Sequence, residues 1–464
     1  MMIQSVKQYI STKALEGSWV YGAFIHANAL RLAIPRYCTP SVVWGVAPVK
    51  RLVKLSQTAS NRPLVRAAIQ EQLARVLKDA LAYVPYYRDS VQIRPTEISP
   101  QNAFEALSQF PYLQKATVME NAAAFVDQRA RKGRLIYGTS GGSTGRGIGV
   151  WRTWAERQIE RFFFCRHWGR LGYNDTSRIV RMGTEARKAS DQDPCVVSGN
   201  RLMISPYHFN AKWIERIYTA ICAFRPDAFH AYPSCLEHLA RYMVREGKPA
   251  LECRGVLLAS EACSTEQCAL FTRCFTGKIS VNYGLSEGAA LAFAEYDAQK
   301  GLSHYKIDEL YAFVENRPLP DGLLEIVGTS YWYRTMPFIR YRTEDIGPVE
   351  NGVIRTLDGR TQEHLITKQG EIIPGFTIKI DEFTWNYVDV LQVVQNRPGH
   401  IVFRIVPKSN YSAAVGRDIL NKQKERWGQY FDMELDVVRE ILRTTAGKHR
   451  LIINELRRHD PPGV

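Results

Sequence analysis

The stretch Tyr137-Gly138-Thr139-Ser140-Gly141-Gly142-Ser143-Thr144-Gly145-Arg146 decides how this chain is read. Four glycines and four serine or threonine hydroxyls fall within these ten residues. Leu135, Ile136 and Tyr137 read as the end of a strand leading into it. Glycine lets a backbone turn its N–H groups inward, and hydroxyls add further donors, which suits a loop that grips a polyphosphate. Arg146 closes the stretch with a positive charge. An ordinary glycine-rich surface turn has the same composition, so residues downstream decide between the two.

The bulk properties narrow the class. A chain of 464 residues exceeds what one core usually organises, so two or three domains are expected. Apolar and charged contents of 45% and 23% are those of a soluble globular protein. The formal charge of +15 would attract nucleic acid, anionic lipid or an acidic small molecule. No recognition-helix signature, zinc-finger spacing or aromatic RNA-binding motif accompanies it, so nucleotides and coenzymes are expected and nucleic acid is not. The nine cysteines form no Cys-x-x-Cys pair. Cys263, Cys268 and Cys274 lie closest together without chelating spacing, which suits reduced thiols and a cytoplasmic location. Trp19 to Ile34 is the most apolar early run, but His26, Asn28 and Arg31 interrupt it, so it is too polar to span a bilayer. With Lys7, Lys13, Arg36, Lys50, Arg51 and Lys54 around it, a peripheral membrane contact stands beside a plain packing helix.

Outward from the loop, the apolar spacing of Leu64, Ala67, Leu73, Val76, Leu77 and Leu81 predicts a helix over 62–83, ended by Pro85-Tyr86-Tyr87-Arg88. After the loop, helices are expected over 153–168, 213–224, 234–246 and 265–275. Strands are expected at 178–182, 228–232, 256–259 and 278–283. This alternation is economically a parallel sheet with crossover helices, whose functional loops lie at the carboxyl ends of strands. Tyr137, Tyr232, Ser260 and Gly284 all fall at such ends in this reading. From Leu323 the texture changes to antiparallel strands (323–327, 338–341, 352–356), and Asp358-Gly359 is a strong turn signal. The fold class is therefore α/β. A large N-terminal domain over 1–358 would combine parallel sheets with a small antiparallel region, and a small mobile α+β domain would occupy 359–464. In the latter, strands are expected at 371–373, 389–395 and 400–406, and a helix at 415–427.

Four further groups carry chemistry. In Asn282-Tyr283-Gly284-Leu285-Ser286-Glu287, the aromatic ring can stack on a purine, the amide can read its edge, and the carboxylate can hold Mg²⁺. In Tyr341-Arg342-Thr343-Glu344-Asp345, Asp345 could accept hydrogen bonds from two ribose hydroxyls. Gly359-Arg360-Thr361-Gln362-Glu363 stands at the expected boundary. Gly447-Lys448, near the end, can bring a cation to developing negative charge. Each alone also fits a buried aromatic or a charged turn.

Their order is what distinguishes them. A glycine–hydroxyl loop, then Tyr-Gly-x-Ser-Glu, Tyr-Arg-Thr-x-Asp, Gly-Arg and a terminal Gly-Lys resembles the adenylate-forming superfamily. The nearest branch is the phenylacetate–coenzyme A ligase family with its capsular-polysaccharide CapK-like subgroup. Pro85 to Arg88, Phe110-Pro111 with Lys115, and Tyr232-Pro233-Ser234 are further landmarks of that branch, and the resemblance runs from about Leu73 to Leu456.

The resemblance implies an ATP-dependent ligase that makes an acyl-adenylate, releases pyrophosphate, and passes the acyl group to coenzyme A. An amine acceptor, or a non-catalytic nucleotide-binding relative, stands as the alternative. Thr139, Ser140, Gly141, Gly142, Ser143, Thr144 and Gly145 would cover the outer phosphates. Ser260 and Glu261 would border the adenine, with Asn282, Tyr283 and Gly284 opposite. Glu287 would hold Mg²⁺, Asp345 and Arg360 the ribose, and Lys448 the acid carboxylate and α-phosphate. The acid pocket would draw on His208, Phe209, Tyr232, Ala259 to Ala262, and Leu285 to Ala289, including Gly288. Catalysis would rest on Lys448, Glu287 and Thr139. The chain departs from the pattern at Arg146, where Lys is commoner, and at Gln362, where many relatives carry Asp at the domain hinge. Gly288 and Tyr296 replace the cysteines with which some relatives hold zinc, leaving His304, so no zinc site is expected. A P-loop phosphotransferase would need Gly-Lys-Ser/Thr at the loop's end, and Gly145-Arg146-Gly147 does not supply it.

Overall fold

The computed structural model describes residues 40–131, 133, 135–139, 148–174, 176–183, 191–209, 212–260, 263, 265–319, 324–355, 357, 364–374, 378, 380, 382–441 and 452–457. Outside the described residues lie Trp19 to Ile34, Ser140 to Arg146, Glu261, the expected hinge with Arg360 and Gln362, and Lys448. The chain forms two compact units that part at residues 359 and 360. No helix among the described residues is long and apolar enough to cross a membrane.

The first unit opens with helices Pro40–Ser56 (α1) and Arg62–Tyr83 (α2). α2 ends where Val84 turns extended before Pro85, a residue whose ring disfavours helix at the preceding position. Pro85 then starts a short helix, Pro85–Ser90, rather than only ending one. That helix buries Tyr87, whose hydroxyl donates to the Pro337 carbonyl at 2.9 Å and accepts from the Ile339 N–H at 3.1 Å. Both polar ends of a buried phenol are thus satisfied, and the N-terminal helices are tied to the backbone just before the Tyr341 motif.

Strands Ile136–Thr139 (β1) and Gly149–Arg152 (β2) pair antiparallel, Thr139 opposite Gly149 and Tyr137 opposite Trp151. The sequence reading had put Tyr137 at the end of a strand in the parallel sheet. It sits instead within a separate two-stranded antiparallel sheet, paired with Trp151 of β2. Four residues carry too little pattern to distinguish the two placements.

Helix Trp154–Trp168 (α3) follows, capped by Thr153, whose side chain accepts from the Glu156 N–H while Glu156 reaches back to Thr153. Next come Ile179–Met182 (β3), the hairpin Cys195–Ser198 (β4) with Arg201–Ile204 (β5), helix Ile214–Phe224 (α4) and Ala228–Ala231 (β6). Helix Pro233–Arg245 (α5), Gly255–Ala259 (β7), helix Thr265–Cys274 (α6) and Lys278–Gly284 (β8) complete the alternation. β5, β3, β6, β7 and β8 are parallel neighbours in that order. β7 is buried at all five positions, as a central parallel strand covered on both faces must be.

The sheet then continues antiparallel. Leu291–Asp297 (β9), with Gly301–Leu302 (β10) at its side, leads through Tyr305–Ile307 (β11) to an edge strand introduced below. Ala312–Pro318 (β12), Leu324–Ser330 (β13) and Tyr341–Ile346 (β14) form a three-stranded antiparallel sheet. Val349–Glu350 (β15) and Val353–Ile354 (β16) close the edge of the large sheet on β11. The expected strand at 338–341 therefore begins where the reading ended it. Arg340 has a left-handed φ of 49°, which breaks extended structure just before β14.

The second unit pairs His364–Ile366 (β17) with Ile372–Pro374 (β18). After the short helix Glu382–Tyr387, Val388–Arg397 (β19), His400–Pro407 (β20), Asp432–Val437 (β21) and Ile452–Asn454 (β22) form a four-stranded sheet in the order β21-β20-β19-β22. Helix Ala413–Trp427 (α7) joins β20 to β21, and Ile419 and Trp427 on it are buried. Gln395 links the two sheets of this unit: its amide accepts from the Ile366 N–H at 2.6 Å and donates to the Ile366 carbonyl at 2.8 Å.

One core histidine predicts a pH response. The His167 ring on α3 stacks 3.6 Å from that of Phe293, with Nε2 3.0 Å from Ser280 Oγ. Burial, then Arg170 and Arg166, hold its pKa down at about 4, against 6.5 for the free side chain. The exposed Glu295 carboxylate 3.8 Å away does not offset this. The folded state binds fewer protons than the unfolded chain between those values. This stability is complete above about pH 6.5 and is lost as pH falls through about 4. Thermal melting should therefore weaken across that window, and His167→Gln should flatten this part of the profile. A profile parallel to the wild type would remove His167 as its source.

Candidate functional site

The carboxyl ends of β5, β3, β6, β7 and β8 lie along one edge of the large sheet. His208 follows β5, Tyr232 follows β6, Ser260 follows β7, and Gly284 ends β8. Tyr232, Ser260 and Gly284 thus stand at strand ends as expected, on the edge where open α/β sheets bind ligands. Ser260 has a left-handed φ of 69°, a conformation that costs a non-glycine residue about 1 kcal/mol or more and recurs at binding sites.

Two tyrosine–carboxylate hydrogen bonds knit this edge to the three-stranded sheet. The Tyr283 hydroxyl, near the end of β8, donates to Asp345 Oδ2 on β14 at 2.9 Å. The Tyr341 hydroxyl, at the start of β14, donates to Glu287 Oε1 at 3.0 Å. The bonds run in opposite directions, so each segment supplies one donor and one acceptor. Sequence inspection puts Tyr283, Glu287 and Asp345 in one site; the structure pairs Tyr283 with Asp345 and pairs Glu287 with Tyr341. The hydroxyl of Tyr341 carried no signal of its own, because a tyrosine opening a strand is usually core.

Asp345 lies within β14, and an irregularity there aims it. Glu325 pairs with Ile346 and Val327 with Arg342, so Ile326 faces three residues. Thr343 Oγ1 donates to the Ile326 carbonyl and accepts from the Asp345 N–H, and Glu344 takes a φ of 62°. A bulge of this kind re-aims one side chain without ending the strand.

Glu325 holds the bulge. It is 1% exposed, and its Oε2 accepts from Arg342 Nε at 2.8 Å and Arg317 Nη1 at 3.2 Å. Its Oε1 accepts from the Glu344 N–H at 3.2 Å. Arg342 of the Tyr-Arg-Thr-Glu-Asp motif therefore serves the scaffold rather than a ligand.

Glu287 sits in a tight turn in which the Gly288 N–H donates to the Leu285 carbonyl. Gly288 has φ 73°, and a Cβ there would strike the Tyr333 ring, so glycine is required twice over. Arg152 Nη2 donates to the Glu287 carbonyl at 2.7 Å and clamps the turn from β2. Among the described residues, the hydrogen bond given for the Glu287 carboxylate is the one from Tyr341 to Oε1, and the Asn282 amide oxygen is buried and unpaired. One carboxylate oxygen and one amide oxygen thus remain available for a ligand. An oxygen donor of this kind fits Mg²⁺, which takes one or two carboxylates and completes its shell with phosphate and water.

The remaining sequence candidates are more dispersed. Thr139 ends β1 and is exposed. His208 is fully buried, its Nδ1 2.9 Å from Ser205 Oγ and its ring against Trp213. Phe209, Tyr232 and Ala259 are buried too. A cleft of about 110 Å³ opens elsewhere in the unit, beside Thr139, Arg152, Glu160, Ser286 and Tyr333. Of these, only Thr139 and Ser286 belonged to the expected site. Glu160 and Arg152 gave no signal in a helix and strand read only for their apolar spacing.

Glu325 yields a prediction. Glu325→Ala leaves Arg317 and Arg342 without their shared carboxylate, and urea unfolding should show a loss of about 3 kcal/mol. Glu325→Gln keeps an acceptor and should lose less. Equal stability of all three proteins would show that the bulge is held by its backbone alone.

The chain is similar to several known proteins. Residues 365–455 match the CapK C-terminal domain. The chain is 21% identical over 373 residues to protein CapK of Staphylococcus aureus, covering 76% of this chain and 81% of the relative. It is 25% identical over 358 residues to phenylacetate-coenzyme A ligase of Pseudomonas putida, covering 70% and 77%. A crystal structure of 2-hydroxyisobutyryl-CoA ligase shares the fold, with a TM-score of 0.55, 17% identity, and coverage of 86% of this chain and 90% of that one. The C-terminal part of the chain thus carries a CapK C-terminal domain, and the chain is similar over most of its length to CapK and to phenylacetate-coenzyme A ligase and shares the fold of 2-hydroxyisobutyryl-CoA ligase.

Proposed function

We propose that this protein activates a carboxylic acid with ATP as an acyl-adenylate, releases pyrophosphate, and transfers the acyl group to coenzyme A. The observation that carries the reading is the 2.9 Å hydrogen bond from Tyr283 to Asp345. It sets an aromatic face able to stack on a purine beside a carboxylate able to take ribose hydroxyls. The unpaired amide oxygen of Asn282, one residue away, accepts a donor such as a purine amino group.

A carboxylate is a poor electrophile, because its charge and resonance must be overcome. Joining it to AMP makes a mixed anhydride with a good leaving group. Both partners in that step are anionic, so the site needs cations. Glu287 would hold Mg²⁺, which supplies charge neutralisation at the phosphates. Thr139 and the hydroxyls of Ser140, Ser143 and Thr144 grip the outer phosphates, while Ser260 and Glu261 border the base. Arg360 joins Asp345 at the ribose, and Lys448 brings the second cation to the reacting carboxylate. In this reading the division at 358 and 359 separates an ATP- and acid-binding domain from a small domain carrying Lys448. Turning that domain at Gly359 to Glu363 removes Lys448 and admits the acceptor thiol.

Two measurements test this. Incubation with ATP, Mg²⁺, coenzyme A and a panel of carboxylic acids should release pyrophosphate and AMP; ADP and inorganic phosphate would reject the mechanism. Asp345→Ala should weaken ATP binding by about tenfold or more, the value of losing a charge-assisted hydrogen bond. Tyr283→Phe keeps the ring and should weaken it less. Unchanged affinity in Asp345→Ala would break the ribose assignment.

A further inference from the structure

The cleft beside Thr139 has an unusual accounting of polar groups. Glu156 is fully used: Oε1 accepts from the Arg334 and Thr335 N–H groups, and Oε2 from the Thr153 N–H and hydroxyl. Arg152 donates to the carbonyls of Trp151, Met336 and Glu287 and lies 4.2 Å from the Tyr333 ring centre. The Tyr333 hydroxyl pairs with that of Tyr311 at 2.7 Å. Glu160, one turn beyond Glu156 on α3, lines the same cleft and is half-buried. Its carboxylate makes no hydrogen bond or ion pair among the described residues. Burial pushes this carboxyl above its ordinary value, while Arg157 and Arg152 pull it down. A partly desolvated acceptor with no donor is costly, and a ligand that brings a donor recovers that cost.

Local charge and position select the ligand. Glu156 and Glu160 are balanced by Arg152 and Arg157 around the cleft, so no net field draws an ion into it. A phosphate placed against Glu160 would meet like charge. A neutral hydroxyl meets an acceptor with a vacant lone pair. Thr139, assigned above to the outer phosphates, and Ser286, in the turn from Leu285 to Ala289 assigned to the acid pocket, both line the cleft, so it lies where acid and phosphates meet; the Glu160 carboxylate disfavours the phosphates, which leaves the acid as its occupant. A volume of about 110 Å³ is smaller than the roughly 150 Å³ of a cavity that admits benzene, which suits a short substituent.

Resting on the acid-activation reading above, we propose that Glu160 is a specificity-determining residue that accepts a hydrogen bond from a hydroxyl on the acyl chain, so that the preferred substrate is a short hydroxy acid. A site that pairs with a substrate hydroxyl rejects the analogue lacking it, because its own acceptor is left unpaired. The same hydroxyl offered to Glu160→Ala finds nothing to meet.

The test is pyrophosphate release with matched sets of short acids, each in deoxy, hydroxy and amino form. In the wild type, kcat/KM should favour the hydroxy member by about tenfold or more. In Glu160→Ala that ratio should collapse towards one, with Glu160→Gln intermediate because it keeps an acceptor. Thermal melting of both variants checks that they fold, and the Gln variant, close in size, serves if the Ala variant does not. Equal use of hydroxy and deoxy acids by the wild type, preference for the amino member, or an unchanged ratio in both variants would each overturn the proposal while leaving the ligase reading intact. Pyrophosphate release with no acid at all in the sets, where broader panels succeed, would also overturn it. Failure with every acid would reject the ligase reading and this inference together.

Discussion

Two hydrogen bonds between tyrosine hydroxyls and buried carboxylates hold the functional edge of this protein together. Tyr283 reaches from the large sheet to Asp345 on the small one, and Tyr341 reaches back from the small sheet to Glu287. Bonds to an ionised acceptor are stronger than neutral ones, and being buried they are little weakened by solvent. Because they attach β14 at two points, Tyr341 and Asp345, sliding one sheet along the other would break them. The carboxylates at the heart of the proposed nucleotide site are thus fixed by the same contacts that fix the fold.

That arrangement depends on local departures from regular structure. β14 bulges between Arg342 and Ile346, opposite Ile326 of β13, so that Asp345 points where a regular strand would not aim it. The bulge costs an unfavourable backbone at Glu344, and Glu325 offsets it with two arginines and a backbone N–H. On the other side, Gly288 and Arg152 fix the turn that carries Glu287. Strain at Ser260 and Glu344 falls on the two borders of the expected base and ribose positions. Deviations of this kind persist only where the surrounding packing over-determines them.

The proposed hydroxyl contact at Glu160 extends the same logic to the acid. Arg152, Glu156 and Tyr333 around the cleft are committed to the scaffold, and in the proposal the uncommitted Glu160 carboxylate is where a substrate completes the structure. Specificity in this view comes from one acceptor without a donor rather than from the shape of an apolar pocket. His208, Phe209 and Tyr232, expected in the acid pocket, are buried and do not line this cleft.

The alternation of strands and helices from β6 to β8 was legible in the sequence because apolar runs such as 255–259 are bounded by helices with clear periodicity. The ordered motifs also named Tyr283, Glu287 and Asp345, since glycine turns and acidic residues after strands are local signals. What the sequence could not decide was which side chains meet. The β4–β5 hairpin, the bulge in β14 and the pairing of Tyr341 with Glu287 depend on partners 54 or more residues away in the last case. Glu156 and Glu160 are the same residue type one turn apart on one helix. Only the tertiary structure spends the first on capping and backbone contacts and leaves the second facing a cleft, because hydrogen-bond partners are assigned by packing and not by spacing along the chain.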